Sequence, residues 1–409
     1  MRVLLGLMIV ALMWSCSDKE DIIKPDPAIV ENVKALADQN QVLGWSLFNE
    51  LSAEDADENI IISPWSIQVA LSMALGGSDG STRDEMLEIL GCSGCDETSV
   101  HEKMSELSKL LTTQNGRATL TSANGLFHDP NRIDVYRDFI DLIKAYYNAR
   151  EVEHNFADPA TVDKINDWVK SRTNGKIEAI LEEISNDDVA FLINALHFKA
   201  DWANPFPAET TREGEFTRAD RQVITAKFMD LDQSFHAVTD DDFKMVDIPF
   251  RDSIFSMTLL APRSPFADNV ADWRHTFNPA RLNELYNDMH YGRILLQVPK
   301  MDLDYKEDMV EVLRKIGMPQ PFSEFEADFS RLGQPLIGAN LYISKVLHKA
   351  VLKVDEKGAE GAAVTSIGIS VTSLPPTYRF DHPYIAVIRH IPTGAILFIA
   401  YVNDPNYKD

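Results

Sequence analysis

Cysteine is scarce, with three residues among 409, at positions 16, 92 and 95. Three thiols cannot build the dense disulfide framework that staples small secreted domains. Positive charge is also short: 39 Lys and Arg stand against 63 Asp and Glu, for a formal net charge of −24. That balance excludes nucleic acid, an anionic membrane face or a heparin-like polyanion as the main partner. The composition is not that of a disordered chain, since 45% of residues are hydrophobic and 25% charged. A chain this long can bury a sizeable core without staples.

Enzyme motifs are lacking as well. There is no G-x-S-x-G elbow, S-x-x-K, H-E-x-x-H, Walker phosphate loop or Rossmann fingerprint. Gly76-Gly77-Ser78-Asp79-Gly80 is glycine-rich, but it follows a helical pattern and reads as a turn between helices. Asp302 and Asp304 alternate, yet no glycine or distal glutamate completes a calcium loop. The ten histidines are scattered, and no metal or cofactor site is expected.

What is present begins with a sorting signal. Arg2 precedes an apolar run that is too short for the roughly 20 residues of a membrane-spanning helix. The run ends at Ser15-Cys16 and turns polar at Ser17, Asp18 and Lys19. Residues 1–15 resemble a bacterial lipoprotein signal, which implies lipid on Cys16, a tether over 16–27 and one domain over 28–409. Bulky Met13 and Trp14 depart from that pattern, and an ordinary cleaved secretory signal is the alternative. Cys92 and Cys95 suit a small local loop that a disulfide could close. His101 is the only nearby zinc-ligand candidate, too few for a site.

Helical spacing runs through Ile29, Val33, Leu36, Leu43, Leu47 and Leu51. Asn59-Ile60-Ile61-Ile62 is strand-like, and Ser63-Pro64 then opens a helix ending at Gly76-Gly77. Ser81 is expected to cap a further short helix ending at Gly91. A strand is expected over 119–127, with helices over 134–148 and 160–173. Strands are expected over 188–199, 222–229, 245–261 as a hairpin, and 293–301. A helix is expected over 305–317, and strands over 340–355, 379–390 and 395–402. Helices early and strands late predict an α+β fold with large mixed sheets.

One long connection stands out at 356–376. Loops beyond about 12–15 residues are uncommon in compact domains and are usually functional or disordered. This one carries no charge after Glu360 and is rich in small and β-branched residues. At period two, Ala359, Gly361, Ala363, Thr365, Ile367 and Ile369 share one face. Glu360, Ala362, Val364, Ser366, Gly368 and Ser370 share the other. No proline interrupts 357–374, so every N–H there could join a sheet. The segment can therefore become a strand.

With these residues in view, the chain resembles the serpin family over nearly all of 28–405. The resemblance is carried by Asn59-Ile60-Ile61-Ile62-Ser63-Pro64-Trp65-Ser66-Ile67, Ile165-Asn166-Asp167-Trp168-Val169 and Thr173-Asn174-Gly175-Lys176-Ile177. It continues in Asn194-Ala195-Leu196-His197-Phe198-Lys199-Ala200-Asp201-Trp202, Glu326-Ala327-Asp328-Phe329-Ser330 and Ile343-Ser344-Lys345-Val346-Leu347-His348-Lys349-Ala350. The stem Asp355-Glu356-Lys357-Gly358-Ala359-Glu360-Gly361-Ala362-Ala363 and Phe380-Asp381-His382-Pro383-Tyr384 complete it.

The resemblance implies three sheets, eight or nine helices and an exposed reactive loop. It implies no enzyme, but a monomeric suicide substrate of serine proteases, with cysteine proteases left open; a non-inhibitory member acting as a binding or chaperone-like protein is the alternative. The hinge would be Gly358, Ala359, Glu360, Gly361, Ala362, Ala363 and Val364, with Gly361 where the family usually has alanine. Counting seventeen residues from Glu356 puts the bait bond at Thr372–Ser373, with the bonds after Ser370 or Val371 as neighbours. Small, uncharged Thr372 suits elastase-like or subtilisin-like pockets, and no Lys or Arg lies between 358 and 378. Ser63, Ser66, Asn194 and His348 match the family's polar cluster where central strands part, and Trp202 the tryptophan near the insertion entrance. For each, an ordinary core role is the alternative. Residues 101–118 hold only Lys103, Lys109 and Arg117 as cations, so no heparin site is credited.

Thr372→Arg should redirect the protein towards trypsin-like proteases, read as inhibition rates against a protease panel. Unchanged selectivity would move the bait bond elsewhere.

Overall fold

The computed structural model describes residues 24–54, 57–112, 118–251, 253–263, 273–338, 340–359 and 375–407. The expected signal at 1–15, Cys16 and the tether up to residue 23 lie outside the described residues. So do Glu360, Gly361, Ala362, Ala363, Val364, Thr372 and Ser373.

In chain order the first half forms α1 (Pro27–Glu54), β1 (Ile60–Ile62), α2 (Pro64–Leu75), α3 (Gly80–Ile89), α4 (Glu97–Thr112) and β2 (Ala118–His128). It continues with β3 (Ile133–Val135), α5 (Arg137–Tyr147), β4 (Arg150–Glu153), α6 (Ala160–Arg172) and β5 (Ala190–Asp201). Then come β6 (Arg212–Thr217), β7 (Val223–Thr239), β8 (Phe243–Pro249), β9 (Phe255–Pro262), α7 (Pro279–Asp288), β10 (His290–Pro299) and β11 (Met301–Asp308). The chain closes with α8 (Val310–Lys315), β12 (Gly333–Pro335), β13 (Leu347–Asp355), β14 (Gly358–Ala359), β15 (Thr377–Arg379), β16 (Tyr384–His390) and β17 (Ile396–Val402). No helix among the described residues is long and apolar enough to cross a membrane.

Local chemistry explains the boundaries. The Ser63 hydroxyl accepts from the Ser66 N–H at 3.2 Å, and Pro64 occupies the first turn of α2, where no N–H is needed. The helix stops at Gly76-Gly77, where Leu332 crosses: a Cβ on Gly77 would meet Leu332 Cβ at 2.7 Å. Asp79, not Ser81, caps α3, because its carboxylate accepts from the Gly80 N–H. Cys92 and Cys95 form a disulfide just beyond α3.

Three expected elements are corrected. The helix expected over 305–317 is a strand up to Asp308 and a short helix only from Val310. Met301 and Leu303 point inward while Asp302 and Asp304 point out, and pairing with β13 makes that alternation a strand. The strand expected over 340–355 begins only at Leu347, and the described residues before it form no regular element. The helix expected from 134 starts at Arg137, because Ile133–Val135 pairs with Gly333–Pro335.

The strands form three sheets. Six strands run in the order β11-β13-β14-β5-β2-β4. Nine belong to a second sheet, along β1-β17-β16-β9-β8-β7-β10-β15 with β6 on β7, and β12 and β3 form the third. With eight α-helices among the described residues, this is the α+β architecture expected.

The six-stranded sheet is covered on both faces. On β5, Leu196, Phe198 and Ala200 enter the main core, which holds the fully apolar strands β9 and β17. Earlier on the strand and on its opposite face, Phe191, Ile193 and Ala195 pack in a second core with Ile165 and Val169 of α6. Burying each large side chain contributes about 1.5–3 kcal/mol, so both faces resist separation.

Candidate functional site: a slot between parallel strands

Strand β14 is antiparallel to both its neighbours, so β13 and β5 run parallel to one another. Ala359 pairs with Val354 on one side and Ala200 on the other, and Gly358 with Asp355 and Asp201. Beyond these two residues, no ladder joins β5 to β13 among the described residues. Between the lower halves of the strands lies a cavity of about 1010 Å³, bounded by Phe191, Ile193 and Asn194 of β5, Leu347 and His348 of β13, and Ser66. A small cavity of about 20 Å³ lies higher, between Leu196–Phe198 and Val351–Lys353. Main-chain groups on facing strand edges need partners, and a further strand would supply them.

The top of the slot is fixed in place. Gly358 has φ +151°, and a Cβ there would lie 2.1 Å from the Ala200 carbonyl oxygen. Only glycine fits that backbone and that approach. Trp202 donates its backbone N–H to Lys357 O at 2.8 Å and its indole N–H to Asp355 O at 3.0 Å. Its ring stacks on Phe250 with centroids 4.7 Å apart. Phe206 N–H donates to Glu356 O at 2.8 Å. The Glu356 carboxylate meets Lys300 at 3.1 Å and accepts from the Thr211 hydroxyl at 2.8 Å. Burial pushes the Glu356 pKa up, but its own backbone N–H, Thr211 and Lys300 outweigh burial and leave it below the usual carboxylate range.

The polar cluster lies lower, divided across the slot. On the β5 side, Asn194 accepts from the Ser66 hydroxyl at 2.5 Å and donates to Ser122 at 2.9 Å and Asn124 at 2.6 Å. On the β13 side, buried His348 accepts from the Ser63 N–H at 3.2 Å through Nε2. The other ring nitrogen therefore carries the proton and serves the Ile61 backbone. No hydrogen bond joins Asn194 to His348 among the described residues. Burial pushes the His348 pKa down to about 4, only partly offset by the Ile61 bond.

The structure thus brings Ser63, Ser66, Asn194 and His348 to one level of the slot, and Trp202, Gly358 and Ala359 to its top. Lys300 and Thr211 escaped sequence reading: they come from β10–β11 and the β5–β6 connection, and nothing local marks them as partners of Glu356.

Comparison with known proteins agrees with this geometry. The family model described as Serpin (serine protease inhibitor) matches residues 38–405. The corticosteroid-binding globulin of Pongo abelii is 30% identical over 377 residues, covering 91% of each chain. Serpin-ZXA of Oryza sativa subsp. japonica is 30% identical over 368 residues, covering 86% of this chain and 92% of that one. Among solved structures, the thermophilic serpin tengpin in its native state superposes with a TM-score of 0.81 at 30% identity, covering 93% of this chain and 95% of that one. The chain belongs to the serpin family. Members of that family include protease inhibitors and, as the globulin shows, a protein named for binding a steroid.

Two predictions follow from the geometry. Gly358→Ala drives a methyl into the Ala200 carbonyl and should cost about 1–3 kcal/mol in chemical denaturation. A loss within ~0.5 kcal/mol, the scatter of ordinary surface changes, would mean β14 is not held there. Because His348 stays neutral when folded, the unfolded chain binds more protons between pH 6.5 and about 4. Its contribution is complete above pH 6.5 and is lost as pH falls through that window. His348→Gln should flatten this part of the stability–pH curve; an unchanged slope would place the titration elsewhere.

Proposed function

We propose that this serpin is a suicide-substrate inhibitor of serine endopeptidases. The single supporting observation is the slot between β5 and β13, already started at its top by Gly358 and Ala359. Continuing the register downward from Ala359↔Ala200 brings residue 369 opposite Ala190, the last residue of β5 in that direction. Ala359, Gly361, Ala363, Thr365 and Ile367 would then face the main core with Phe198 and Leu352. The first rung beyond Ala359 would then set Glu360 between Lys199 and Lys353, so the one hinge charge would meet two cations. Thr372 would lie just past the end of the slot.

The chemistry is an interrupted acyl transfer. The protease Ser Oγ attacks the Thr372 carbonyl, the Thr372–Ser373 bond breaks, and the Ser373 nitrogen leaves as an amine with the proton carried by the protease histidine. The freed strand adds to the slot with the ester intact and drags the protease to the far pole before water deacylates it. Roughly a dozen new backbone hydrogen bonds at about 1 kcal/mol net each give on the order of 10 kcal/mol, comparable with a whole domain's stability. Elastase-like or subtilisin-like enzymes are the proposed targets. The domain over 28–409 would act as a monomer, exported to a bacterial envelope and held by lipid on Cys16. A second reading, a non-inhibitory binding protein, is favoured by the 30% identity to a corticosteroid-binding globulin.

Mixing with an elastase-like protease should give an SDS-resistant adduct whose ester maps to Thr372 by mass spectrometry. The nicked protein should melt at a much higher temperature. Ala359→Arg should push β14 out of the slot, where Ala359 is already buried, and leave a folded protein that is cleaved as a plain substrate, because burying that charge costs several kcal/mol. Clean cleavage with neither adduct nor thermal gain would leave the binding-protein reading in its place.

A further inference from the structure

At the far edge of the six-stranded sheet lies a cluster that loop insertion does not use. His128 ends β2 and pairs with Glu153 of β4, and Leu126 pairs with Glu151, in a parallel ladder. Residues opposite one another share a face, and so do residues two apart, so His128, Glu151 and Glu153 all project to one side. One ligand atom from each lies within 4.8 Å of the others.

The histidine is the informative member. It is 4% exposed, yet neither ring nitrogen has a hydrogen-bond partner among the described residues. Its Nε2 stands 3.6 Å from Glu151 Oε1, beyond hydrogen-bond reach. Buried polar groups are ordinarily satisfied, and an orphan imidazole facing two carboxylates lacks something that accepts its lone pair. Lys144 of α5 does not fill that role, because its ammonium holds the other Glu151 oxygen, Oε2, at 2.6 Å. That bond leaves Oε1, the oxygen in ion-pair range of His128, for a ligand role and fixes the carboxylate, as an outer-sphere partner orients a ligand. Asp129, the next residue, is committed to the N–H of Asn131, the amide of Asn131 and the N–H of Phe156.

We infer that His128, Glu151 and Glu153 bind a divalent transition-metal ion of the zinc class, clamping β4 onto β2. One imidazole and two carboxylates, with a fourth position open to water, are a donor set zinc accepts. Tetrahedral ligands at about 2.1 Å from the ion stand about 3.4 Å apart, so the observed spacing needs a small closure. Exposed Glu153 can supply it by side-chain rotation. Calcium and magnesium, which favour all-oxygen shells, fit the imidazole poorly.

The test titrates the full chain with ZnCl₂ by calorimetry and follows melting with Zn²⁺, Ca²⁺ or Mg²⁺. One zinc site per chain is expected, with a rise in melting temperature for zinc alone. His128→Ala and Glu153→Gln should each weaken zinc by about 100-fold or more, beyond what outer-sphere partners are worth. Co²⁺ bound to the unaltered chain should show visible d–d bands that vanish in His128→Ala. Glu153→Gln changes only an exposed side chain, so the test survives if His128→Ala fails to fold. Zinc affinity unchanged in Glu153→Gln, or calcium binding as tightly as zinc, would overturn the site.

Discussion

Backbone hydrogen bonding between β5 and β13 is the constraint on which the rest of this structure depends. β2 pairs with β5, and β11 with β13, along their whole length, whereas β5 and β13 share only the rungs made by Gly358 and Ala359. A main-chain N–H or C=O on a strand edge needs a partner, so parallel edges held apart leave room for a further strand to supply one. Trp202 and the Lys300–Glu356 pair fix the upper end of that arrangement. The Ser63, Ser66, Asn194 and His348 contacts attach its two sides separately to α2, β1 and β2.

The slot is shaped from both faces. Leu196, Phe198, Ala200, Ala350, Leu352 and Val354 enter the main core, and Phe191, Ile193, Ala195, Leu347 and Val351 pack in the cluster that holds Ile165 and Val169 of α6, so the lower part of an added strand would be covered on both sides. Small side chains at the start of such a strand follow from this geometry. At Gly358 the requirement is absolute, since the Ala200 carbonyl occupies the space of a Cβ. Further down, the cavity of about 1010 Å³ is far larger than the one of about 20 Å³ above it.

Much of the fold was legible in local pattern. The Ser63-Pro64 start of α2, the amphipathic run of α6 and the apolar strands β9, β16 and β17 all announce themselves, because capping, helical spacing and continuous burial leave marks in neighbouring residues. The helix expected over 305–317 starts too early, since Tyr305-Lys306-Glu307-Asp308 is polar and suits either state. The strand character of that run comes from β13, forty residues later. The 340–346 segment was misread in the opposite sense: its composition suits a strand, but it lies beside the cavity and forms no ladder.

By itself, the sequence determined the inventory: an acidic α+β chain, and a run of small and β-branched residues that carries no charge after Glu360. Only the tertiary structure decided that β5 and β13 stand apart, that Asn194 and His348 serve opposite sides of the division, and that Lys300 reaches Glu356. It alone placed His128 beside Glu151 and Glu153. The physical reason is range. Caps, turns and periodicity act over a few residues, whereas a gap between strands, an ion pair across sheets or a cross-strand ligand set exists only once distant segments share one ladder.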